Sequence, residues 1–115
     1  MITPEKIAAL QKELYEHGLA QMMAKGNDYS GSSHKDGDTF KNIRIAAEVG
    51  LVSNVPQSVM VRLMDKVMRM VSLCDPSVSQ QVKDESLFDT VSDLWNYASY
   101  YLILMREMKE KENAS

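Results

Sequence analysis

The densest chemistry in the chain lies in DESLFDTVSDLWNY, residues 84–97. Glu85, Asp89, Asp93 and Asn96 stand four, four and three positions apart, so on an α-helix they share one face. Carboxylates one turn apart can hold a Mg²⁺ ion, with water completing the octahedron and a substrate phosphate bridging to the metal. Upstream, Arg62, Asp65, Lys66 and Arg69 also fall on one helical face, and basic side chains there can grip phosphate. Read together, Glu85, Asp89 and Asp93 are candidate metal ligands and catalytic groups. Lys66 and Arg69 are candidates for phosphate, and Asn96 for a polar contact to the ligand. Two plainer arrangements fit the same spacing. The acidic face can meet water, or the two stripes can form a network of interhelical ion pairs that does no chemistry. A solvated face usually mixes signs to gain pairs one turn apart, whereas no Lys or Arg occurs between residues 84 and 105.

The elements that must position these groups are helical. Thr3 and Pro4 are an N-cap and a first-turn proline. The apolar row Ile7, Leu10, Leu14, Leu19, Met22 and Met23 then predicts a first helix ending near Lys25–Gly26. Residues 26–38, rich in Gly, Ser, Asn and Asp without periodicity, read as a long loop, and loops of that length are commonly functional. A second helix is expected from Asp38 or Thr39 to Gly50, and a third from Pro56 to just before Pro76. Val, Leu and Met occupy most of the third helix's circumference, so it is expected to be buried on most sides with its polar stripe facing a cleft or another helix. The last helix is predicted from about Val82 to Glu112. Its heptad-like seam is Leu87, Val91, Leu94, Ala98, Tyr101, Met105 and Met108, flanked by Phe88, Trp95 and Leu102. The tail, about 109–115, is expected to fray. The short linker DPSVSQQ makes helices three and four antiparallel neighbours, which would bring the two polar stripes face to face. The fold expected is a single all-α domain over residues 1–115, a bundle of about four helices with a long loop after the first.

Composition narrows the function. The chain has 115 residues, 44% of them hydrophobic and 25% charged, enough for one small core. Nine Met against two Phe and one Trp predict an aliphatic, Met-rich interior. A net charge of −3 argues against duplex nucleic acid as a partner, which calls for a basic surface. Cys74 is the sole cysteine, so no internal disulfide forms and a reducing compartment fits. Its apolar setting reads as core rather than nucleophile. MITPEKIAAL lacks a basic region followed by an apolar run, and YASYYLILM, residues 97–105, is too short to span a bilayer. The expectation is a cytoplasmic protein with no membrane partner. No phosphate-cradling G-x-x-x-x-G-K-[ST] and no G-x-S-x-G occurs. His34, in the loop, and His17, beside Glu16, read as surface residues.

Four segments taken in order, KGNDYSG (25–31), DTFKNI (38–43), RLMDKVMRMVSL (62–73) and DESLFDTVSDLWNYA (84–98), resemble the Nucleotide modification associated domain 1 family of bacteriophages and bacteria. The last block carries most of the likeness, through Glu85, Ser86, Asp89, Thr90, Asp93, Leu94, Asn96 and Tyr97. Ser30 stands where the family has glycine. The resemblance implies a role in phage or bacterial nucleotide metabolism or DNA-base modification, in the host cytoplasm if the chain is phage-encoded. Under it Lys25 would meet a phosphate, Tyr29 would stack on a base or ribose, and Asp28 would accept from a hydroxyl or join the metal. Gly26–Asn27–Asp28 can equally be a helix stop and turn. Asn42 can be a ligand donor or a helix-face amide. The pattern is also similar to the all-α nucleoside triphosphate pyrophosphohydrolases. Here, however, Glu13 and Glu16 form the E-x-x-E far upstream and Glu85 and Asp89 stand four apart rather than three, so that activity is an analogy.

The function expected is therefore nucleotide binding, with Mg²⁺-dependent hydrolysis as its enzymatic form. A non-catalytic protein that sequesters or senses a nucleotide signal is the first alternative. The second is a helical oligomeric assembly protein whose last helix supplies a dimer face. The partners expected are a nucleotide or other small phosphorylated ligand and a further copy of the chain.

Overall fold

The computed structural model describes residues 1–30 and 38–114, with the side chains of 25–30 and 81–85 outside that description. Four helices follow in order: α1 Pro4–Ser30, α2 Lys41–Glu48, α3 Val55–Leu73 and α4 Gln80–Ala114. Among the described residues there is no strand, and no helix is long and apolar enough to cross a membrane. The expected all-α bundle is the observed one.

α1 and α3 begin where a side chain satisfies their first N–H groups. Thr3 Oγ1 accepts from Lys6 N at 3.2 Å, the N-cap expected, with Pro4 opening the helix. Asn54 caps α3 by accepting from Gln57 N at 3.0 Å. The Gln57 side chain returns to accept from Ser53 N at 2.7 Å, a variant of the reciprocal capping box shifted by one residue. α2 ends on a glycine in the left-handed region, Gly50 with φ +82°. There Leu51 N donates to Ala46 O at 2.9 Å and Gly50 N to Ala47 O at 3.1 Å, the paired bonds of a Schellman stop.

α2 is shorter than expected, Lys41–Glu48 rather than Asp38 or Thr39 to Gly50, and two other helices run past their expected stops. α1 does not stop at Gly26 but continues to Ser30. A glycine inside a helix costs only about 1 kcal/mol, too little to end one. Residues 26–30 of the expected loop are therefore helical, and the rest of it, 31–37, lies outside the described residues. α4 carries on to Ala114, through the charged segment expected to fray. Its 35 residues at about 1.5 Å each account for the 52 Å length of the molecule.

α3 and α4 form an antiparallel hairpin. Val59, early in α3, and Leu104, late in α4, are buried together with Ile43 of α2. Phe40, Val55, Leu63, Tyr97, Tyr100 and Tyr101 close around them. This core sits at the end of the hairpin where α2 docks. α1 lies along the other flank of α4, where Tyr15 meets Trp95 at 5.6 Å between ring centroids and His17 meets Phe88 at 4.5 Å. Two expectations are corrected here. Cys74, read as core, is exposed at the C-terminus of α3. α3, expected to be buried on most sides, leaves Met60, Val61, Met64, Val67, Met68 and Val71 exposed. On the α4 seam Tyr101 packs into the core, while Val91 and Ala98 stay exposed.

Candidate functional site

Asp93, Asn96, Tyr97 and Tyr100 recur at three and four residues, so they line up along one face of α4. That face turns into a cleft of about 280 Å³ to which all four helices contribute. α1 gives Met22, and the entry to α2 and its first turn give Thr39, Phe40, Asn42 and Ile43. α3 gives Arg62 and Lys66, one helical turn apart.

The two polar stripes meet at Lys66 and Asp93. Lys66 Nζ lies 3.1 Å from Asp93 Oδ2, and both side chains are largely shielded, 27% and 18% exposed. In such a place the attraction is strong, but so is the cost of removing both charges from water. The pair therefore fixes how α3 sits on α4 more than it adds stability. Asn96 Nδ2 donates to the Gly18 carbonyl at 3.0 Å, which ties the same face of α4 to α1. Asn42 and Arg62 are exposed cleft residues.

The apolar wall is aromatic. Tyr97 and Tyr100 meet edge-on at 5.6 Å, and Phe40 meets Tyr100 edge-on at 5.1 Å. Burial, then the neighbouring Tyr97 and Asp93, push the Tyr100 phenol up to about 12. It thus stays protonated near neutral pH and available as a donor.

A guanidinium clamp holds the α2 wall in place. Arg44 reaches Glu107 of α4 through two bonds, Nη1 to Oε1 at 2.6 Å and Nη2 to Oε2 at 3.0 Å. Its Nε donates to Asp38 Oδ2 at 2.7 Å. Asp38 in turn accepts from Phe40 N at 3.1 Å, so the residues entering α2 and the far part of α4 are fixed by one side chain. The Arg44 bonds hold the Glu107 carboxyl down at about 2 and lower that of Asp38.

Comparison of the chain with family models, with curated proteins and with solved structures returned nothing similar, so the site stands on its own geometry.

That geometry gathers only part of the expected set. Asn42, Lys66, Asp93 and Asn96 line the cleft. Asp89, one turn before Asp93, is exposed and accepts from Gln21 Nε2 at 3.0 Å, and it does not line the cleft. Arg69 is exposed away from the cleft wall. The side chains of Lys25, Asp28, Tyr29 and Glu85 lie outside the described residues. Among the described residues no three of His, Cys, Asp and Glu gather in a way that could hold a metal ion. Of the three carboxylates outlined above for Mg²⁺, Asp89 and Asp93 meet partners on different helices, and the side chain of Glu85 lies outside the described residues.

Phe40, Tyr97 and Tyr100 were not among the expected site residues, and Arg62 was expected only as a member of the basic stripe of the third helix. Counting four and seven residues on from Asp93 reaches Tyr97 and Tyr100, and counting four back from Lys66 reaches Arg62, so those three had a signal in the sequence. Phe40 had a signal only as part of the DTFKNI segment of the resemblance, since its place in the cleft depends on the docking of α2.

Proposed function

We propose that the cleft between the four helices binds a nucleotide or another small phosphorylated ligand carrying a planar ring. The observation that carries this is the juxtaposition, in one cleft of about 280 Å³, of Arg62 and Lys66 with the rings of Phe40, Tyr97 and Tyr100 and the amides of Asn42 and Asn96. Guanidinium and ammonium groups on one turn suit a phosphate. Aromatic faces and edges suit a base, and a few placed amides give it orientation. Asp93 already neutralises Lys66, so a phosphate arriving there must displace or share that partner, which favours ligands with more than one negative charge.

Binding, rather than turnover, is the reading these residues support, because Asp89 and Asp93 are engaged by different helices. The likeness to the Nucleotide modification associated domain 1 family agrees with this class of ligand. It extends the proposal to phage or bacterial nucleotide metabolism or base modification, with hydrolysis and Mg²⁺ as variables of the test.

The test is thermal melting against nucleoside mono-, di- and triphosphates and cyclic dinucleotides, each with and without Mg²⁺. A ligand that binds the native state raises the melting temperature by mass action. Arg62→Ala and Asn42→Ala alter exposed cleft residues and should leave the unliganded melting temperature in place while reducing the shift. A shift that requires Mg²⁺ would move the reading toward the metal-dependent enzyme. No shift with any ligand would overturn it.

A further inference from the structure

The unexpected exposure of α3 has an arrangement. Met60, Met64, Val67 and Val71 stand four, three and four residues apart, with Val61 and Met68 beside them. At about 100° per residue all six fall within a sector of about 120°, opposite Val59, and each is 40–60% exposed. Every residue of that sector between positions 60 and 71 is apolar. Asp65, Arg62, Lys66 and Arg69 all lie outside it. Four–three spacing of apolar residues is what a helix presents to a second helix, and a continuous apolar patch at the surface marks an interaction site.

The surface area leaves room for a partner of ordinary size. The chain exposes 8496 Å², whereas a folded monomer of 13.0 kDa exposes roughly 6,300 Å². The excess, on the order of 2,000 Å², exceeds the roughly 800 Å² per partner of a standard interface and is of the size a permanent homodimer removes. That excess is spread over an elongated chain 52 Å long, Leu51 and Leu102 included, and the α3 strip is the part of it that forms one long apolar helix face. We propose that the exposed face of α3 is the interface of a two-fold homodimer, in which the α3 strips of two copies pack on one another. A second copy is the fitting occupant because the strip is self-complementary in the simplest sense. It is apolar throughout, has no charge to be matched, and is long enough to give a two-fold pair the same contacts twice. The row on α1, Ile7, Leu10 and Leu14, is narrower, with Gln11 and His17 on the same face.

Sedimentation equilibrium of the full chain over a range of micromolar concentrations should give twice the 13.0 kDa chain mass. Met64→Glu with Val67→Glu should weaken association by about a hundredfold or more, because the pair puts like charges at the middle of the interface. Both positions are exposed in the single chain, so helix content by circular dichroism should be retained. A second measurement needs no variant. Under mild peroxide, Met60, Met64 and Met68 should oxidise more slowly than Met23, which is exposed on α1 outside the proposed interface. A monomer at every concentration would overturn the proposal. So would a dimer indifferent to the double substitution, dissociation by Leu10→Glu on α1 instead, or oxidation of the α3 methionines as fast as Met23. None of these readouts depends on a ligand, so the dimer and the nucleotide site fail or stand separately.

Discussion

Glu107→Gln tests whether the Arg44 clamp holds α2 against the end of the hairpin. The substitution keeps the shape of the side chain but removes the charge that receives two of Arg44's bonds, at 2.6 and 3.0 Å. Bonds to charged groups are worth roughly 1.5–3 kcal/mol where solvent is excluded. Exposed ion pairs are worth roughly 0.2–1 kcal/mol. Arg44 is 20% exposed and Glu107 36%, so the site lies between these limits and screening discounts the upper figure. Arg44 also keeps Asp38 as a partner. The expected loss is about 1 kcal/mol at pH 7, or about 4 °C in melting temperature for a domain of this size. The pH dependence has a definite sign. The Glu107 carboxyl is held at about 2 against an ordinary 4.5, first by its bonds to Arg44. A lowered folded value contributes stability that is fully present above 4.5 and is lost as pH falls from there toward 2. The glutamine variant has no such contribution to lose. Urea unfolding of both proteins should therefore give curves that differ at pH 7 and converge as pH falls below 4.5. A gap that stays constant from pH 7 to pH 3, or a cycle with Arg44→Met showing no coupling, would refute the clamp.

Two further substitutions probe the frame of the cleft. Leu104→Ala empties the middle of the core shared with Ile43 and Val59 and should cost about 2–5 kcal/mol in chemical unfolding. Gly50→Ala places a Cβ at φ +82°, where steric space is open but the backbone is not; it should cost about 1–2 kcal/mol, read as a lower melting temperature with the helical spectrum intact.

Much of the frame was legible because its signals are local. Thr3 and Pro4 mark the start of α1, Pro56 lies in the first turn of α3, and the short linker after Cys74 predicts the antiparallel hairpin. The Lys66–Asp93 pair was legible too, since each residue sits on a polar stripe of a helix that is otherwise apolar. What the sequence hid is what depends on tertiary approach. Arg44 and Glu107 are 63 positions apart, and no spacing rule connects them. Asp89 and Asp93 share a helical face, yet α1 flanks one turn of that face and α3 the next. One turn is enough to hand Asp89 to Gln21 and Asp93 to Lys66. The apolar circumference of α3 promised burial, but periodicity counts apolar residues without saying which molecule covers them.

α2 has eight residues, and a helix that short has too few internal bonds to repay its own nucleation in water. Its helical state is therefore on loan from Ile43 in the core and from the Arg44 grip on α4. One wall of the cleft is a tenant of the hairpin's end rather than a structure in its own right. Anything that loosens that end dissolves the cleft well before the α3–α4 hairpin itself comes apart.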